Sequence, residues 1–359
     1  MTVMATSIPV ERSTRSRISE TDFNNLEFGK YISDHMLVAS YKDGQWQEMK
    51  VVPYGPLPLT PAMLALHYGQ SVFEGLKAFR NSAGEICVFR AARHSERLNR
   101  SLERMCMPAV SEEMFIQGIH ALLEVDQEWI PTSAGASLYI RPVVFATEAR
   151  FGVKVSDEYL FVIMTSPVGP YFSKPLRVKV EDHFVRAAEG GAGYAKCAGN
   201  YGGAFYPTLL ARDEGFDQVL WTDARKHEYI DEAGVMNVMF VMDGKLITPA
   251  LTSAILDGVT RDSILKLAPT LGIPTEERKI SVEEVRRGLE QGTITEAFGA
   301  GTAAVVSPIA TITIKGVDYQ LPQPGTDSFQ QRVKRKLTDI RMGLEPDVFG
   351  WNYIIPAHS

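Results

Sequence analysis

Three prolines in ten residues, between Ser166 and Pro175 (SPVGPYFSKP), interrupt this chain near its middle. Proline has no backbone N–H and a fixed φ, so a segment this dense in proline and glycine reads as a connection rather than as a helix or a central strand. The chain of 359 residues is long enough for a core on each side. The resulting division is a flexible N-terminal arm at 1–25, a domain at 26–167, a connecting loop at 168–175 and a second domain at 176–359.

Within the first half, Leu138–Phe145 and Tyr159–Met164 are rich in β-branched and aromatic residues and read as buried strands. Between Ser111 and Ile130, Phe115, Ile119, Leu122 and Leu123 recur at the spacing of one helix face. Arg90, Arg93, Arg97, Arg100 and Arg104 fall near one face of another helix. Such a row is commonly a solvated surface, although one guanidinium could turn inward to a phosphate. The second half opens with the alternating strand Leu176–Val180, and Asp243-Gly244 marks a hairpin. Thr260 is the expected N-cap of a helix carrying Ile264, Leu265, Ala268 and Leu271 inward. Ser281 and Glu284 form a capping box for the next helix, which ends near Gly292. Strands and helices follow in mixed order rather than as regular βαβ units, which points to an α+β fold.

Composition narrows the partners. A net charge of -6 argues against nucleic acid, whose phosphates call for a basic face. Arg12, Arg15 and Arg17 in the arm are too few to change that. No apolar run approaches the ~18 residues that would span a bilayer, and no secretory signal opens the chain, so the expected compartment is the cytoplasm. Cys87, Cys106 and Cys197 are scattered, and neither they nor the seven histidines have metal-ligand spacing; no metal is expected.

Chemistry concentrates in the second half. Lys196 lies in a stretch, Glu189 to Gly203, in which six of fifteen residues are glycine. An amine nucleophile must shed its proton part of the time, which desolvation or a nearby positive charge favours. Lys196 has apolar or neutral neighbours on both sides; a lysine in an inert glycine loop is the alternative. Tyr201, five residues on, could reach the same ligand or simply pack near a turn. Asp231 and Glu232 end an apolar strand before Gly234, where a carboxylate in a low dielectric could keep a basic nitrogen protonated, or merely sit in a hairpin turn. Gly258-Val259-Thr260-Arg261 runs into a helix, a natural phosphate seat. The turn from Phe298 to Ala303 could present backbone donors to an oxyanion. There is no dinucleotide or P-loop glycine pattern.

Taken together, these motifs resemble the branched-chain aminotransferases of fold-type IV, the class IV aminotransferases. The resemblance runs from about Asp34 to Gly343. It is carried by the block from Tyr68 to Phe79, by Leu138 to Pro142, by Lys196 to Tyr201, by Glu232 to Asn237, by Gly258 to Arg261 and by Phe298 to Ala303. It implies a pyridoxal 5′-phosphate enzyme with a smaller N-terminal α/β domain and a larger C-terminal domain with a β-barrel-like core. It also implies a homodimer acting on amino acids and 2-oxo acids, with leucine, isoleucine or valine exchanging the amino group with 2-oxoglutarate.

Carried over by residue, Lys196 would tether the cofactor and shuttle the proton. Glu232 would pair with its ring nitrogen and Tyr201 with its O3′. Arg97, Val259, Thr260 and Thr302 would seat the phosphate. Thr302 and Ala303 would take the substrate α-carboxylate, with Tyr68 nearby. Phe73, Tyr139, Val153 and Tyr171 would form the side-chain pocket, and Arg141 would take the γ-carboxylate of glutamate. A pocket that separates leucine from valine by one methylene gains only ~1–3 kcal/mol, so use of all three amino acids is expected.

One departure stands out. Animal members carry a C-x-x-C pair just past the second glycine turn, where this chain has Ala304-Val-Val-Ser307. Thiol regulation there is not expected, and peroxide sensitivity would have to arise elsewhere, such as at Cys197. A D-amino-acid aminotransferase, an aminodeoxychorismate lyase and a non-catalytic relative of the same fold are the alternatives.

Overall fold

Strands Ser137–Ala146 and Tyr159–Val168 form the spine of the first half in the computed structural model, which describes residues 8–171 and 174–357. They pair antiparallel along their full length, from Ser137 opposite Val168 to Ala146 opposite Tyr159. Strand Tyr159–Val168 therefore runs through Pro167, beyond the end expected from sequence. Its other neighbour, His35–Lys42, pairs only with residues 159–164, so Pro167 lies where that flank asks for no ladder hydrogen bond. Leu76–Arg80 and Ile86–Phe89 extend the sheet on the opposite side, and Asn352–Ile355 closes that edge. Helix Glu112–Val125 packs on strands His35–Lys42 and Tyr159–Val168. Gly118 makes that contact possible, because a Cβ there would meet Ile163 and Leu37 side chains at 3.2 Å.

Contacts divide the chain into two compact units, one running to Pro170 and resuming at Arg341, the other spanning Tyr171–Ile340. The second domain was expected to continue to residue 359; instead residues 341–357 return to the first unit as its edge strand. The described part of the expected flexible arm is tied down. Val10 bridges Val51, the Ser13 N–H donates to His35 Nε2 at 2.8 Å, and the Arg17 N–H donates to Asp34 at 2.8 Å. Residues 1–7 of that arm and 172–173 of the expected loop lie outside the described residues, as do 358–359.

The second unit is built on a barrel. Strands run in the order Ile230–Ala233, Gln218–Thr222, Leu176–Val180, Val305–Ile314, Ile294–Gly301, Met236–Met242. The last pairs back with the first through Glu232 opposite Asn237 and Ala233 opposite Met236, which closes the ring. Apolar residues including Val178, Leu220, Val238, Phe240, Ala297 and Ile312 fill its core, each of the larger side chains contributing about 1.5–3 kcal/mol on burial. The expected hairpin is present, with Asp243 and Gly244 at φ 49° and 73° between paired strands. Ser281 caps helix Val282–Gln291 by accepting from the Glu284 N–H at 3.0 Å, and Gly292 ends it at φ 71°.

Two local expectations need correction. Gly258, not Thr260, is the N-cap of helix Val259–Leu267, which places Thr260 second in the helix, in its first turn, and buried. The arginine row on helix Ala91–Arg104 is not one solvated face. Arg90 precedes the helix in a left-handed conformation and Arg97 is buried, while Arg100 is exposed.

Candidate active site

Lys196 is presented by a loop that other side chains hold in place. Asn200 donates from Nδ2 to the carbonyls of Ala192 and Ala195, both at 2.8 Å, and the Tyr194 N–H donates to Ser253 at 3.0 Å. Gly193 is required by contact, since a Cβ there would lie 2.4 Å from the Ala254 carbonyl oxygen. Gly199 and Gly202 border open space, so only part of the glycine content is explained by close packing. Lys196 is half-buried, and its Nζ donates to the Tyr201 hydroxyl at 2.7 Å.

Glu232 is 3% exposed and well supplied with donors. Oε1 accepts from the Leu256 N–H at 2.7 Å and from Asn237 at 3.3 Å; Oε2 accepts from Arg186 Nε at 2.6 Å. The Arg186 guanidinium also reaches the Gly193 carbonyl, at 3.0 Å from Nη2, so one side chain braces both the carboxylate and the lysine loop. Burial opposes the charge on Arg186, but the neighbouring Glu232 outweighs it and holds the guanidinium pKa above its ordinary value. Arg186, Tyr201, Glu232 and Leu256 line one cavity of about 210 Å³, together with Tyr171 and Ala195.

The other expected residues of this unit fall into two places. Val259 and Thr260 occupy the first turn of a nine-residue helix that no side chain caps, leaving N–H groups and the positive end of the helix dipole available. Gly258 must be glycine here, because a Cβ would fall 1.9 Å from Asn237 Oδ1. Thr302 and Ala303, both half-buried, lie in the turn between strands Ile294–Gly301 and Val305–Ile314. Gly299 permits close approach of Met236, and Val305 leaves the turn at φ 60°, an uncommon conformation for a β-branched residue.

In the first unit, Phe73, Tyr139 and Arg141 come together. The Arg141 guanidinium lies 4.7 Å from the Phe73 ring centroid, and its Nη2 donates to the Tyr139 hydroxyl at 3.1 Å. Its buried Nε has no hydrogen-bond partner among the described residues. Phe28 packs edge-on against Tyr139 at 4.9 Å. Tyr68 is exposed and donates to the Phe151 carbonyl, and Val153 is 83% exposed. Arg97 is buried and bidentate on Glu74, through Nε at 2.7 Å and Nη2 at 2.8 Å, with His94 Nδ1 also on Glu74 at 2.8 Å. Burial alone would raise the Glu74 pKa, but Arg97 and His94 hold it well below the usual carboxylate range.

Sequence reasoning missed Arg186, Asn200 as loop brace, Asn237, Leu256 and Phe28. Arg186 lies ten residues before Lys196 in an unremarkable stretch, and no local signal ties it to Glu232, 46 residues on. Cys197, proposed as a peroxide target, is buried; Cys106 is the exposed thiol.

Comparison with known proteins agrees with this geometry. The family model described as amino-transferase class IV matches residues 71–312. The chain is 42% identical to the probable branched-chain-amino-acid aminotransferase of Staphylococcus aureus strain N315, over 99% of this chain and 100% of that one. It is 44% identical to the branched-chain-amino-acid transaminase 1 of Bacillus subtilis strain 168, over 92% and 94%. Among solved structures, the branched-chain aminotransferase of Thermoproteus uzoniensis with norvaline superposes at TM-score 0.74 and 27% identity, covering 89% of this chain and 99% of that one. The branched-chain amino acid aminotransferase of Escherichia coli gives 0.70 and 26%, covering 89% and 98%. With a buried carboxylate and a phenol lining one cavity, an amine bonded to that phenol, and these relatives along nearly its whole length, the chain belongs to the class IV aminotransferases, among the branched-chain-amino-acid aminotransferases.

Proposed function

We propose that the chain transfers the amino group between leucine, isoleucine or valine and 2-oxoglutarate, with pyridoxal 5′-phosphate as cofactor. The observation that carries this reading is that Tyr201 and Glu232, the latter braced by Arg186, line one cavity while Lys196 donates to the Tyr201 hydroxyl. The donor set fits the cofactor: a buried carboxylate for a ring nitrogen, a phenol for a ring oxygen, an amine for the tether, and an uncapped helix start for a phosphate.

When bound, the cofactor supplies an electron sink. The chain's own residues do the rest. Glu232, held in position by the Leu256 N–H and Arg186, would pair with the ring nitrogen and keep a proton there. Tyr201 would engage O3′, and it orients the Lys196 amine through their 2.7 Å contact. Lys196 would hold the cofactor through its amine and would move the substrate α-proton. The first-turn N–H groups of Val259 and Thr260, the Thr302 hydroxyl and Arg97 are assigned to the phosphate.

Backbone donors at Thr302 and Ala303 are assigned the α-carboxylate, with Tyr68 beside it. Phe73, Tyr139, Val153 and Tyr171 are assigned the aliphatic side chain. Arg141 is assigned the γ-carboxylate of glutamate, and its partnerless Nε supports this, since a buried donor without an acceptor is costly until an anion arrives. We extend the same reading to a homodimer at work in the cytoplasm.

The test is an assay of each branched-chain L-amino acid, and separately of D-alanine, with 2-oxoglutarate. Turnover of the three L-amino acids and none of D-alanine is expected; the reverse would move the chain to a D-amino-acid aminotransferase.

A further inference from the structure

Successive side chains of a strand leave on opposite faces, and Asp231 turns away from the cavity that its neighbour Glu232 lines. It borders a second cavity in the same unit, of about 530 Å³, a size typical of small-molecule sites. The half-buried Asp231 carboxylate has no hydrogen bond or ion pair with any described residue. Burial, then the like charges of Glu232 and Asp223, push its pKa up to about 7, against the opposing pull of Arg186.

The remaining wall carries both signs. Arg225, Lys226 and Lys279 are exposed cations in no ion pair among the described residues, and Lys279 lies 5.0 Å from the Tyr229 ring centroid. Glu189 and Glu228 are exposed carboxylates of the same lining. Asp223 is already engaged, accepting backbone N–H bonds from Arg225, Lys226, Glu228 and Tyr229. Between the charges the surface is small and apolar, at Pro249, Ala250, Ala254 and Ile255. A dianion would meet Asp231 and the rim carboxylates, and a simple amine would meet three cations. A molecule with one ammonium, one carboxylate and a short apolar body satisfies both sets.

We propose that this cavity binds a free α-amino acid, its ammonium toward Asp231 and its carboxylate toward Arg225, Lys226 and Lys279. The bound amino acid acts as an effector, because the cavity adjoins two supports of Glu232. Asp231 is its neighbour in the strand, and Ile255 precedes Leu256, whose N–H donates to Glu232 at 2.7 Å. The effector role rests on the assignment of Glu232 made above; the binding does not.

The probe is labelled 2-aminoisobutyrate, an α-amino acid with no α-hydrogen to transfer. It is dialysed to equilibrium against holoenzyme treated with borohydride, so that the Lys196 linkage cannot be displaced. Binding at one site per chain is expected, about tenfold tighter at pH 8 than at pH 6, because Asp231 must be ionised to hold the ammonium. Asp231→Asn should lose about tenfold in affinity at pH 8 together with the pH dependence. A Lys226→Ala/Lys279→Ala double variant should weaken binding while keeping the pH dependence. Absence of binding at millimolar probe, or binding of equal strength and pH profile in Asp231→Asn, overturns the proposal. The two readings fail separately. If the Glu232 assignment is wrong, Glu232→Gln turns over leucine like the wild type, yet Asp231-dependent binding persists.

Discussion

Each unit of this molecule buries one glutamate against one arginine, and the two pairs differ in what lies beside the carboxylate. Glu74 is 0% exposed and has both oxygens committed, to Arg97, to His94 and to the Gly75 N–H at 3.1 Å. Glu232 is nearly as buried and has an equally close guanidinium, Arg186 at 2.6 Å, yet it forms part of a cavity wall beside Tyr201 and the Lys196 loop. A buried ion pair by itself therefore does not mark a reactive site. What distinguishes Glu232 is open space for a ligand next to the carboxylate, together with an amine and a phenol close by.

Substitutions can break this contrast in graded steps. Lys196→Ala should have the largest effect, lowering kcat by about 10⁴-fold or more while the urea midpoint stays near that of the parent. Arg97→Ala should cost about 3–5 kcal/mol in urea unfolding, because it strands a fully buried carboxylate, and through its assigned phosphate contact should also weaken cofactor binding, with kcat at saturating cofactor little changed. Glu232→Gln should do the opposite. Its amide oxygen can still accept from the Leu256 N–H, so stability falls by only about 1–3 kcal/mol, while kcat drops about 10²-fold or more. If Glu232→Gln instead unfolds the protein and leaves kcat intact, the two pairs are alike and the contrast fails.

Tyr201→Phe removes only the hydroxyl that accepts from Lys196, and a loss near tenfold in kcat with the cofactor retained is expected. Asp231→Asn tests the other face of the Glu232 strand. With the folded-state carboxyl raised from 3.8 to about 7, the native protein binds more protons than the unfolded chain across that window. Wild-type stability should therefore fall as pH rises from 4 to 7, and the Asn variant should show a shallower fall in thermal melts.

Features read correctly from sequence are those whose chemistry is local. The Ser281 cap, the Asp243-Gly244 turn and the strand patterns of 138–145 and 159–164 each depend on residues a few positions apart. Placing Thr260 as the N-cap failed because a threonine hydroxyl is the commoner cap, whereas here Gly258 starts the helix and Asn237 crowds its Cα. The barrel closure between Ile230–Ala233 and Met236–Met242, the return of residues 341–357 and the Arg186 brace arise from pairings between distant segments. Lys196, Tyr201 and Glu232 were nameable because several short motifs occur in family order. Arg186 was not, since an isolated arginine carries no local pattern.

The most direct measurement is borohydride reduction of the cofactor-loaded protein followed by peptide mass mapping. The phosphopyridoxyl mass should appear on the peptide containing Lys196 and disappear in Lys196→Ala. Label on a different lysine, or a fully active protein with no label, would contradict the central assignment.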